Sequence, residues 1–139
     1  MKEKESGGRK LVRTALGLIF AGIGSLHFAM PEGFVKIVPP FLPEKLWLVY
    51  ISGVFEILGG LGLLIPRTRK AAGWGLLVLL VAVFPANIYH ALAKVEVGGL
   101  PSNPLYHLIR LPAQGLLIWL AGWSAGLFGK TKKGNLKSN

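Results

Sequence analysis

Four long blocks of apolar residues run through this chain: Thr14–Met30, Leu46–Ile65, Ala71–Ala93 and Leu111–Gly129. None contains Lys, Arg or Asp, and only the second contains Glu. A run of about 17–25 apolar residues crosses the hydrocarbon core of a bilayer as one helix. In 139 residues, four such helices and their links leave no length for a soluble domain. The expected fold is an all-α integral membrane protein, a four-transmembrane-helix bundle. Residues 11–129 form the membrane domain, and 1–10 and 130–139 are basic tails.

The net charge of +10 is unevenly distributed. The N-terminal segment carries Lys2, Lys4, Arg9, Lys10 and Arg13; the link between the second and third blocks carries Arg67, Arg69 and Lys70; the C-terminal tail carries Lys130, Lys132, Lys133 and Lys137. These segments share one side of the membrane and hold 12 of the 16 basic residues. That asymmetry is the positive-inside pattern, and it places both termini in the cytoplasm, with the chain multi-pass in the membrane. It speaks against nucleic acid as the partner and for the lipid bilayer. There is no cysteine, which excludes disulfides, thiolate metal sites and thiol redox relays.

The first block follows a basic tail, as a signal peptide would. However, Leu26–Met30 offers no small-x-small cleavage site, so a retained helix is expected. Gly17, Ala21 and Gly24 give that helix a small-residue face. The link Pro31–Lys45 holds four prolines, so it cannot be a long helix. Its Phe34, Ile37, Val38, Phe41 and Leu42 suit a short lid across the outer mouth of the bundle. Pro85 is expected to kink the third helix. Asn103 with Pro104 marks the start of the fourth.

Polar residues within the blocks are few and grouped. Glu56 lies near the middle of the second block, on the face of Gly53 and Gly60. His27, Asn87 and His90, Arg110 and Gln114 lie toward the outer ends of the other three. The six are expected to converge on one pocket open to the outside. A carboxylate at Glu56's depth must be paired or protonated, and Arg110 is the expected partner. That pair is either a structural ion pair or a site where Glu56 carries a proton or anchors a substrate. The two histidines are either interfacial or, as a pair at equal depth, haem ligands, although no other haem signal accompanies them. Asn87 and Gln114 read as interhelical hydrogen-bonders, with Asn87 relieving the backbone opened by Pro85. Tyr106, His107 and Trp47 read as surface anchors. No metal site is expected.

The chain resembles small bacterial DoxX-type membrane proteins. The resemblance rests on His27-Phe28 with Pro31 and Ile37-Val38-Pro39-Pro40, Ser52 to Gly62, Pro66-Arg67 with Gly73-Trp74-Gly75, Phe84-Pro85-Ala86-Asn87-Ile88, and Arg110-Leu111-Pro112 with Gln114. It covers about residues 11–125 and implies a four-helix membrane bundle. It also implies association with a quinone-linked oxidoreductase or an oxidative-stress complex; this chain itself carries no flavin or nucleotide motif.

Two functions follow as expectations. The first is a non-enzymatic membrane subunit or a protein that binds a lipid or other small hydrophobic ligand in a buried polar pocket. The second is a membrane subunit passing electrons to quinone, with Glu56 or a histidine relaying protons. Their partners would be a redox-enzyme subunit or a second copy of the chain. The orientation is checked by impermeant thiol labelling of single cysteines in intact cells. Ser6→Cys and Ser138→Cys should stay unlabelled and Ser102→Cys should react; the reverse pattern inverts the topology.

Overall fold

The computed structural model describes residues 5–94 and 103–128. Residues 95–102 of the expected exposed loop, residues 1–4 of the N-terminal tail and the whole C-terminal tail 130–139 therefore lie outside the described residues. Five helices follow in order: α1 (Gly7–Ala29), α2 (Pro31–Val35), α3 (Lys45–Leu64), α4 (Arg69–Ala93) and α5 (Pro104–Ser124). Among the described residues there is no strand.

Local chemistry sets the ends. Ser6 caps α1 by accepting a hydrogen bond from the Arg9 N–H at 3.3 Å, so α1 starts a turn earlier than Lys10, where the apolar pattern begins. Met30 leaves the helical conformation ahead of Pro31, which separates α1 from the short α2. α3 stops just before Pro66. Asn103 caps α5 through the Tyr106 N–H at 2.7 Å, with Pro104 in the first turn as expected. α5 closes on Gly126 at φ 82°, a left-handed conformation that suits glycine. Leu127 N donates to Gly122 O at 2.9 Å and Gly126 N to Trp123 O at 3.1 Å, which folds Leu127 and Phe128 back onto the bundle.

α1, α3, α4 and α5 form a ring in that order, each antiparallel to the next, and α5 returns to α1. The backbones of α3 and α5 lie across the ring from each other, as do those of α1 and α4, with no Cα pair within 8 Å. Call the end holding Glu5, the α3–α4 turn and Phe128 basal, and the other end apical. The apolar core, with Leu16, Phe20, Leu63, Leu76, Leu80 and Ala125, fills the basal half. The polar side chains of the helices gather above it.

α1, α3 and α4 are each long and apolar enough to cross a membrane, and most of their surface faces outward. Leu18, Ile23, Phe55, Leu58, Val78 and Val81 are all exposed on that exterior. A surface of this kind suits an apolar solvent, so the fold is that of a multi-pass membrane protein. α5 is as long, but His107, Arg110, Pro112 and Gln114 make it more polar.

The most extensive contact is between α1 and α3, and glycine makes it. Gly17 faces Gly60, and Gly24 faces Gly53, each pair one heptad from the other. A Cβ at Gly60 would lie 2.6 Å from the Gly17 carbonyl oxygen, and one at Gly24 would lie 2.8 Å from that of Gly53. The two backbones are therefore in direct contact, the arrangement that apolar solvent rewards through dispersion. The ring closes basally where Arg13, buried on α1, forks onto the Glu5 carboxylate and donates to Ser124 O of α5 at 3.1 Å.

Gly24→Val and Gly60→Val should each force the α1–α3 seam apart, at a cost of about 1–3 kcal/mol. Gly22→Ala and Gly75→Ala, whose added Cβ meets nothing within 4 Å, should be neutral or stabilising by up to about 1 kcal/mol. Thermal unfolding in detergent measures all four. Equal effects at the two kinds of position would refute the seam.

Candidate functional site

The ring order divides the expected pocket into two clusters. His27 and Glu56 meet between α1 and α3, whereas Asn87, His90, Arg110 and Gln114 meet between α4 and α5. Glu56 and Arg110 do not pair. They sit on α3 and α5, which face each other across the ring without contact, so the expected ion pair is corrected by topology.

In the first cluster, His27 lies on the buried stripe of α1, one turn beyond Gly24. Its Nδ1–H donates to Ile23 O at 2.9 Å. The same nitrogen is 3.3 Å from Glu56 Oε2, but its proton is directed at the carbonyl. Glu56 Oε2 is therefore buried without a hydrogen bond among the described residues, although a histidine ring stands beside it. Phe34 of α2 stacks on His27 with ring centroids 3.8 Å apart, and Val38 and Pro39 of the same link are buried. The Pro31–Lys45 link thus packs onto this cluster as the expected lid in its first part, while Phe41, 79% exposed, projects outward.

The second cluster is a chain of hydrogen bonds whose direction is fixed at both ends. Gln114 Nε2 donates to Leu80 O at 2.7 Å, in the turn of α4 ahead of Pro85. A carbonyl only accepts, so Gln114 must turn its own oxygen to Asn87, and Asn87 Nδ2 donates to it. Asn87 is then left with its oxygen facing Arg110, whose Nη2 donates to it at 2.7 Å. Arg110 Nη1 also donates to His90 Nδ1 at 2.7 Å. A guanidinium has no acceptor, so His90 is neutral at Nδ1 and carries its proton on Nε2. Gln114, not Asn87, thus meets the backbone near Pro85, because the long amide reaches from α5 to the α4 carbonyl.

His107 was expected at the surface, yet it is buried. Its ring packs edge-on against His90, centroids 4.8 Å apart, and neither ring nitrogen meets a hydrogen-bond partner among the described residues. The signal was in the sequence: His107, Gln114 and Ala121 recur at seven-residue spacing on one face of α5, all buried. Arg13 is a second omission. It continues the buried stripe Leu16, Gly17, Phe20 of α1 toward the basal end.

Chemically, the α4–α5 cluster presents an oriented cation. Two N–H groups of Arg110 are bound to neutral acceptors, which set its plane and leave its charge undiminished. The same two helices also form an apolar groove of about 200 Å³, lined by Val81, Phe84, Leu111, Gly115 and Ile118. Among the described residues, no three His, Asp or Glu side chains are placed to hold a metal ion.

The chain belongs to the family defined by DUF8561, a domain of unknown function, whose model matches residues 16–125. That range takes in both polar clusters and the glycine seam. No curated protein and no solved structure matches the chain.

The geometry implies specific couplings. Asn87→Leu and Gln114→Leu each leave a buried amide without its partner, at about 1–3 kcal/mol. Together they should cost less than the sum, with a coupling of about 0.5–3 kcal/mol. Glu56→Gln and Arg110→Gln should add without coupling, because the two side chains share no partner and sit in different seams. Thermal unfolding of the four single and two double variants is the measurement; coupling between Glu56 and Arg110 would overturn the two-cluster arrangement.

Proposed function

We propose that this protein is a four-crossing membrane protein whose α4–α5 face binds a small amphiphile of the lipid or quinone class. The polar head of the ligand bonds to Arg110 and His107, and its apolar body lies in the groove at Gly115. The carrying observation is the guanidinium of Arg110, held by the neutral groups His90 and Asn87, on the same pair of helices that forms an apolar groove. A cation at membrane depth favours an electron-rich oxygen, such as a phosphate, carboxylate or quinone carbonyl. His107 supplies a second polar group with ring nitrogens to spare.

On this reading α5 is the fourth crossing. Its exposed Leu105, Leu108, Ile109, Leu116 and Trp119 face lipid, while its polar residues face α4. The basic basal end faces the cytoplasm of a bacterium, supported by the 12 of 16 basic residues in its segments. The shared motif order with DoxX-type proteins fits the same bundle, and makes a quinone one natural ligand to look for.

The test is mass spectrometry of the organic extract of purified protein, with ultraviolet difference spectra before and after borohydride to reveal a quinone. Wild type should retain one lipophilic species near stoichiometry. Gly115→Leu fills the groove at a position where an added Cβ meets nothing, so the fold should persist. A clash of about 1–3 kcal/mol with the ligand should lower its retention roughly tenfold or more. Equal retention by Gly115→Leu and Arg110→Gln would reject the site.

A further inference from the structure

At the basal end, remote from both polar clusters, lies a cleft of about 240 Å³. Its walls carry Arg9, Arg13, Arg67, Arg69 and Lys70, with Glu5 as the one carboxylate. Glu5 and Arg13 offset each other through their forked pair, and the Arg13 hydrogen bonds hold the Glu5 carboxyl below the usual carboxylate range. Four cations then remain around the cleft with no carboxylate within 4.0 Å among the described residues.

Two of the four are held in place from behind. Arg69 Nε donates to Leu63 O at 3.2 Å, at the C-terminal end of α3, which sets the plane of the guanidinium and leaves its outer N–H groups free for a ligand. Arg9 lies over the Trp123 ring, 5.2 Å from its centroid, and its buried Nε meets no hydrogen-bond partner among the described residues. The N-terminus of α4 adds to the same field. Thr68, its N-cap residue, donates its hydroxyl to Gly62 O at 2.9 Å and makes no side-chain cap to the first turn. The positive end of the α4 dipole therefore points at the cleft beside Arg69 and Lys70. Cations gathered and oriented in this way repel one another unless an anion joins them. Forked N–H donors match the oxygens of a phosphate.

We propose that this cleft binds a phosphate group, and that the phosphate is the headgroup of an anionic glycerophospholipid. The size admits a phosphate and its glycerol. The exterior next to it is apolar: Leu11 is 71% exposed, Ile65 adjoins Pro66 on the cleft wall, and Trp74 lies one turn into α4 from Lys70. Acyl chains can lie along that exterior while the headgroup stays at the level of the basic residues. The site shares no residue with the α4–α5 site and stands or falls separately from it.

Native mass spectrometry of the full chain, released from detergent, tests the site with phosphatidylglycerol against phosphatidylcholine. The variant is Arg67→Gln/Lys70→Gln. Both residues are exposed, so its unfolding temperature without lipid should match wild type. One phosphatidylglycerol should be retained in preference to phosphatidylcholine, and the variant should bind it more weakly by roughly 5-fold for each charge removed, about 25-fold in all. Thermal protection by millimolar inorganic phosphate is the second arm. Protection by phosphatidylglycerol alone supports the lipid source. Equal protection by inorganic phosphate at the same residues would overturn the lipid assignment in favour of a soluble phosphate compound. Equal retention of the two lipids, or variant binding like wild type, would overturn the site.

Discussion

The contact of backbone on backbone between α1 and α3 is the constraint from which the rest of this bundle follows. Inside a bilayer, burying a leucine against another leucine gains little over leaving it in lipid, so apolar side chains alone do not choose helix neighbours. Close approach does choose them. Gly17 on Gly60 and Gly24 on Gly53 fix the register of α1 against α3 and bring the two axes together. Once that seam is set, the short α3–α4 turn places α4 beside α3, and α5 fills the remaining side of the ring. Gly59 against Leu76 and Gly73 against Ala125 extend the same device around it with a side chain on one side of each contact.

That ring order then decides the chemistry. In this bundle the polar side chains bond to the helix next to them in the ring and not to the diagonal one. His27 consequently stands by Glu56, and Arg110 meets His90 and Asn87. The result separates acid from base: the carboxylate and the guanidinium occupy different seams, and each is surrounded by neutral groups. On the α4–α5 side the neutral groups are ordered by a strict rule, since a backbone carbonyl at one end and a guanidinium at the other leave a single direction for every donor between them. A network with one allowed polarity is rigid, and it holds the Arg110 cation in a fixed orientation between α4 and α5.

The two ends of the molecule differ in the same physical terms. Toward the apical end, the two charged groups that face into the seams, Glu56 and Arg110, stand beside uncharged or weakly basic side chains. Basally, guanidiniums crowd together, with one carboxylate among them, above a wholly apolar core. The contrast aligns with the asymmetry of basic residues along the chain, and it gives the bundle a direction.

Much of this was legible in the residues. Apolar block length announced the long helices, and proline and the Asn103-Pro104 pair marked their ends. Glycine spacing on the first two long helices marked the face where they meet. These are local properties, set by side-chain polarity and backbone propensity, and the sequence alone determined them. The pairing of Glu56 was not legible, because a carboxylate in an apolar run reveals that it needs a neighbour and not which helix provides one. The burial of His107 was legible only as its seven-residue spacing from Gln114 and Ala121, and that of Arg13 was not, since an end-of-helix basic residue looks the same whether it snorkels outward or turns inward. Only the tertiary structure decided those questions, through the order of helices in the ring. That order arises from long-range contacts between backbones, which no single stretch of sequence contains.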